Sequence, residues 1–172
     1  GKEIFSMHPP DIPQTIPNWI DGQELASESA EAFDKHSPAT GKVMCRVARS
    51  RATDVERAIR SATNAFPGWS AQTPVARGER LMAIARAMRH HQERLAAVVA
   101  AETGMSFKAA LAETAGAIAQ GEFMAGEGRR FFGRTTTSAV PNRQAMTVRE
   151  PLGVAGLIIA ANTPIANVAW KV

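Results

Sequence analysis

The sequence predicts an α/β fold that is incomplete as it stands: small antiparallel strands, three helices, a two-stranded arm, and one strand of a helix-covered parallel sheet. Three observations predict it. Residues 53–132 repeat apolar side chains at helical spacing, and Met146 and Val148 alternate with Thr147 and Arg149 as in a two-faced ribbon. The run from Leu152 to Ala161 is apolar on both faces, as a central parallel strand must be, and no other segment of like character supplies the neighbours such a strand needs.

Residues 1–18 hold Pro9, Pro10, Pro13 and Pro17, a density that forbids helix and predicts an extended lead-in along a surface. Trp19 to Gln23 reads as a strand with an Asp21-Gly22 turn, and Ala32–Asp34 with Val43–Ala48 completes an antiparallel unit around a turn at 36–41. Thr53 and Glu56 have capping-box spacing, so a helix starts there, buries Val55, Ile59, Ala62 and Phe66, and ends at Pro67-Gly68. Thr73-Pro74 starts a second helix, with a stripe of Leu81, Ile84, Ala85, Met88, Leu95, Val98 and Val99, and Gly104 closes it in the left-handed conformation. Ser106 caps a third, running to about Phe132, whose many Ala and Gly residues predict close packing on several sides. Gly133 ends it. Strand character follows at 134–137 and 145–149, and Thr163-Pro164 marks one more helix start.

Several function classes lose their footing on composition. The single cysteine, Cys45, removes a disulfide framework and any CxxC motif, and favours a reducing, cytoplasmic setting. No apolar run approaches the eighteen or so residues of a membrane span, and the first residues, which begin with Gly1 as after processing, lack a signal-peptide layout. The formal charge of +4 divides as −1 over residues 1–52, +2 over 53–132 and +3 over 133–172, with acids interspersed and no Tyr to stack on bases; a nucleic-acid partner is not expected.

Among candidate sites, Asn162 follows directly on the buried-strand pattern, where α/β proteins place ligands, and its amide could donate to an oxyanion; a turn or cap residue is the simpler reading of its position. Cys45 has no local base and reads as a packed thiol. His90 and His91 point about 100° apart on a helix and cannot share a metal ion. Gly126 to Gly133 matches a phosphate loop only in glycine count, so a helix-ending turn is expected. The basic residues from Lys42 to Arg60 are interleaved with Asp54 and Glu56 and suit a solvated face. Trp19, Trp69 and Trp170 are expected in the core or an interface.

Taken in order, Trp19-Ile20-Asp21-Gly22, residues 37–43, residues 65–70, Glu102-Thr103-Gly104, residues 149–154 and residues 162–172 resemble the N-terminal part of an NAD(P)-dependent aldehyde dehydrogenase. The resemblance implies a Rossmann-like fold of which this chain holds only a portion. Residues 19–133 would be strands and a helical layer of the cofactor-binding domain, 134–150 a bridging arm that mediates homo-oligomers, and 151–172 the first strand, turn and helix of the dinucleotide-binding sheet. It implies NAD or NADP as cofactor and a small aldehyde as substrate, attacked by a cysteine to give a thiohemiacetal. That cysteine and the general-base glutamate would lie outside this chain, which alone would be inactive; Cys45 matches neither. Asn162 would be the catalytic oxyanion donor, with Ile158, Ile159, Ala160 and Ala161 along the nicotinamide-ribose side. The family's Pro-Trp-Asn-aromatic-Pro here reads Ala160-Ala161-Asn162-Thr163-Pro164, a departure that implies a substrate pocket either wider or more polar than is usual in the family. The rival expectation is a non-catalytic relative that binds a full-length partner through residues 134–150.

Overall fold

The computed structural model describes residues 11–172, so the expectations resting on Gly1 and on Pro9-Pro10 lie outside the described residues. Its N-terminal strands are β1 (Thr15–Ile16), β2 (Asn18–Ile20), β3 (Gln23–Leu25), β4 (Ala32–His36) and β5 (Val43–Ala48). β2 and β3 form a hairpin around Asp21 (φ 56°) and Gly22 (φ 70°). Two successive positive φ values make the tight turn that matches strand twist, which is why Asp-Gly sits there. β4 pairs antiparallel with β5, with a bulge at Lys35/His36.

The expected single antiparallel unit is corrected in two respects. The hairpin is a sheet of its own, and β1, within the predicted lead-in, runs parallel to β5 with Thr15 opposite Arg46. The free edge of β5 would otherwise leave its peptide groups unpaired; the Arg46 amide instead donates to the Gln14 carbonyl at 2.9 Å.

Five helices follow: α1 (Ala52–Ser70), α2 (Pro74–His90), α3 (Gln92–Thr103), α4 (Phe107–Glu127) and, past a short β6 (Thr135–Thr137) and β7 (Gln144–Met146), α5 (Pro164–Lys171). Thr73 and Ser106 cap α2 and α4 by accepting from the amides of Ala76 and Ala109, each at 3.2 Å, and Gly104 ends α3 at φ 76°. These are the expected caps.

The start of α1 differs. Arg51, not Thr53, is the cap residue, and the acceptor is Asp54, which takes the Arg51 amide and the Glu28 amide, each at 2.9 Å. A short carboxylate that satisfies a helix terminus and a loop together outcompetes a hydroxyl that could satisfy only one. Pro67-Gly68 also fails to end α1, because Pro67 falls in the last turn, where the Ala71 amide still reaches its carbonyl. The second expected helix is two: His91 leaves helical geometry (φ −104°, ψ 19°), and the redirected halves, α2 and α3, each pack on α4.

The core lies along α4. Ala110, Thr114, Ala117 and Ile118 are fully enclosed, with Ala96, Val99 and Ala100 of α3 and Ala85 of α2 against them. Small residues here allow near contact of backbones: a Cβ on Gly78 of α2 would meet the Ala125 carbonyl oxygen of α4 at 2.5 Å. The expected close packing of this helix on several sides is therefore present, on α2, α3 and α5. α4 ends at Glu127 with Gly128 as cap, five residues before Phe132.

Elsewhere the apolar pattern is not covered. Val55 and Ile59 of α1 are half exposed, as is Ile84 of α2, and Trp19, Trp69 and Trp170 are all exposed rather than core. Residues 151–160 form no ladder with any described strand and are exposed throughout, so the expected parallel strand is not formed by this chain. A strand exists through its partners, and none of the described strands pairs with it. β6 and β7 pair antiparallel, Thr135 opposite Met146, as the alternation suggested, but β7 ends at Met146 and does not extend over the expected 145–149.

Candidate functional site

The expected site residues are consecutive, and the structure brings only some of them to one cleft. Ala161 and Asn162 line an open cleft of about 360 Å³ together with Lys35 of β4, Pro38 beyond it, Glu102 and Thr103 at the end of α3, Met105 just past it, and Pro164. Ile158, Ile159 and Ala160 lie outside its lining. Ile158 is 89% exposed, and its carbonyl accepts from Lys171 Nζ at 2.5 Å, which ties the extended stretch back onto the end of α5. Asn162 itself is exposed and sits in the turn that leads into α5.

The turn is held from three directions. Pro164 occupies the first helical position, where no amide is needed. Asn167 is buried and donates through Nδ2 to the Thr163 carbonyl at 3.0 Å and to its hydroxyl at 2.8 Å. Glu113 of α4 accepts from the amides of Ile165 (3.1 Å) and Ala166 (3.3 Å) through Oε1. The Thr163 hydroxyl thus does not cap α5, as Thr-Pro would suggest; a carboxylate from a distant helix does. Ile165 packs onto the cluster of Ala96, Val99, Ala100 and Ala110, which fixes the helix beneath the cleft.

Chemically, the cleft offers an amide donor at Asn162 and side chains of both signs, Lys35 and Glu102, at a surface open to solvent. It offers no cysteine. Cys45 is 3% exposed within β5, opposite Lys35 in the ladder, and cannot reach a ligand. His90 and His91 are exposed at the junction of α2 and α3 with their rings edge to face at 4.7 Å, and no group of three His, Cys, Asp or Glu among the described residues could hold a metal ion. Gly128 to Arg130 form the helix-ending turn expected there. The basic cluster lies on the surface in pairs, Arg46 with Asp34 and Arg51 with Glu31. No helix among the described residues is long and apolar enough to cross a membrane.

Lys35, Glu102 and Glu113 were not marked by sequence pattern. Lys35 and Glu102 lie far apart in the chain and share a cleft only through folding. Glu113 left one trace, a carboxylate on a helix stretch otherwise composed of Ala, Gly, Leu, Thr and Ile.

Residues 25–172 match the aldehyde dehydrogenase family. Among curated proteins, the cytosolic 10-formyltetrahydrofolate dehydrogenase of Xenopus laevis is 34% identical over 99% of this chain, which spans 19% of that protein. The α-ketoglutaric semialdehyde dehydrogenase of Bacillus subtilis is 35% identical over 91% of the chain and 32% of its own length. Among solved structures, a betaine aldehyde dehydrogenase of Staphylococcus aureus in complex with NAD+ superposes with a TM-score of 0.85 at 29% identity, over 91% of this chain and 32% of that one. An NADP-dependent enzyme of E. coli does so with a TM-score of 0.87 at 29% identity, over 91% and 33%. The chain thus spans a fifth to a third of the relatives it matches.

Proposed function

This chain belongs to the aldehyde dehydrogenase family, and from that premise we propose that it supplies part of the cofactor wall and one oxyanion donor to an enzyme oxidising an aldehyde to a carboxylic acid with NAD or NADP. The observation that carries the reading is Asn162, exposed in a firmly held turn and lining an open cleft. An amide so placed can donate to the oxygen that gains charge when a nucleophile adds to a carbonyl, and because its turn is already fixed, little reorganisation is needed as the charge develops. Ile158, Ile159, Ala160 and Ala161 precede it as an uncharged, solvent-exposed strip, which suits contact with the nicotinamide-ribose side of a dinucleotide rather than an ion pair to it. NAD or NADP, when bound, supplies the hydride acceptor.

In this proposal residues 134–150 are the bridging arm, 151–172 the first strand, turn and helix of the dinucleotide-binding sheet, and the cysteine that forms the thiohemiacetal lies outside the chain. The burial of Cys45, the one cysteine present, supports that assignment. A cytoplasmic setting accords with the relative named cytosolic.

The test is to complete the chain with the cysteine- and glutamate-bearing remainder of a family member and follow NAD(P)H formation from an aldehyde. Asn162→Ala in that enzyme should lower kcat about 100- to 1000-fold, the usual loss on removing one oxyanion donor. Unchanged turnover would defeat the assignment.

The fully exposed pair β6 and β7, with Met146 at the end of β7 and Val148 just past it, favours a second reading, in which the chain binds a full-length relative without catalysis. Sedimentation with and without such a relative decides it: a chain that stays monomeric in both has no such partner.

A further inference from the structure

We propose that Glu113 is a positioning residue for Asn162, acting through the first turn of α5; the proposal rests on the reading of Asn162 as an oxyanion donor. The first amides of any helix have no partner inside it. In α5 Pro164 has no amide to satisfy, Ile165 and Ala166 donate to Glu113 Oε1 at 3.1 and 3.3 Å, and the Asn167 amide reaches the Thr163 carbonyl at 2.9 Å. Glu113 therefore accounts for both amides that local structure leaves free. Its charge also lies at the end of α5 where the helix dipole favours a negative group.

Two further observations set this contact apart from a surface cap. The carboxylate comes from α4, 52 residues earlier in the chain, on the same helix as the enclosed Ala110 and Thr114, so its own position is fixed by the core. Its second oxygen, Oε2, is buried with no hydrogen-bond partner among the described residues. A carboxylate oxygen kept from water is costly unless something offsets it, and the paired amides of α5 are the compensation in view. Thr163, by contrast, accepts from Asn167 Nδ2 through its hydroxyl oxygen and does not cap the helix terminus. The turn that carries Asn162 is thereby tied to the centre of the helical layer instead of depending on the exposed stretch at 151–160.

The experiment is amide exchange and resonance mapping by NMR on this 172-residue chain. In the unaltered protein the Ile165 and Ala166 amides should exchange about tenfold or more slowly than in an unstructured peptide, the effect of one hydrogen bond to a charged acceptor. Glu113→Ala should abolish that protection and shift the Asn162 side-chain amide resonances. Glu113→Gln, which keeps a carbonyl acceptor, should largely restore both. In the completed enzyme Glu113→Ala should lower kcat with little change in KM, again recovered by Glu113→Gln. Free exchange of both amides in the unaltered chain would overturn the proposal even if the Ala variant does not fold, and so would Asn162 resonances indifferent to Glu113→Ala. The NMR readouts need no activity, so a completed enzyme that fails to oxidise aldehydes would count against the functional reading while leaving the Glu113 contact to be judged separately.

Discussion

α4 and the stretch at 152–161 are both rich in small and branched apolar residues, yet α4 is packed against three helices while the stretch lies open to solvent. Ile118 has no exposed surface, whereas Ile158 is 89% exposed. The difference is one of hydrogen bonding before it is one of hydrophobicity. A helix satisfies its own backbone, so α4 needs only apolar faces to bury against α2, α3 and α5. An extended segment must find its donors and acceptors on neighbours, and apolar character cannot substitute for them. α1 makes the same point more mildly: its amphipathic stripe of Val55 and Ile59 formed as a helix, but both side chains stay half exposed among the described residues.

The contrast can be broken by paired truncations. Ile118→Ala should cost about 2–5 kcal/mol in denaturant unfolding, the range for emptying a buried branched side chain. A value near zero would mean that α4 is not packed as described. Asp54→Ala, which strips the acceptor from two amides near a buried position, should cost about 1.5–3 kcal/mol by the same measurement. Ile158→Ala should change the stability of this chain by less than about 0.5 kcal/mol, as at other exposed positions. The completed enzyme sharpens the comparison, because there the same substitution should acquire a measurable cost if 152–161 becomes a buried strand.

The smallest effect concerns an exposed ion pair. Arg51, through its hydrogen bond first and its charge second, holds the Glu31 carboxyl below its ordinary value of 4.5. A lowered value in the folded state stabilises the fold above the ordinary value, and that stabilisation is lost as pH falls through the lowered one. Glu31→Gln should therefore reduce Tm slightly at neutral pH, with the difference vanishing in acid; a difference that persists in acid would exclude the ion pair as its source.

Most of the helical layer was legible in advance, for reasons visible residue by residue. Thr73 with Pro74, Ser106 and Gly104 mark helix ends because each acts on amides or carbonyls within four residues of itself. Asn162 was legible as a position, since it closes an apolar run before a Pro, but its cleft was not: Lys35 and Glu102 join it from elements far away in sequence. The α2–α3 break at His91 was also hidden, as no Gly or Pro announces it and its use is to let both halves pack on α4.

By itself, then, the sequence determined whatever short-range bonds could enforce: the Asp21-Gly22 hairpin, the side-chain caps and the small-residue helix. Tertiary structure decided what depended on distant partners. Asp54 holds Glu28 across 26 residues, Glu113 holds α5 across 52, and 152–161 is left without a ladder. The physical reason is that a hydrogen bond has a reach of about 3 Å, so spacing along the chain identifies its partners only where the backbone itself keeps them that near.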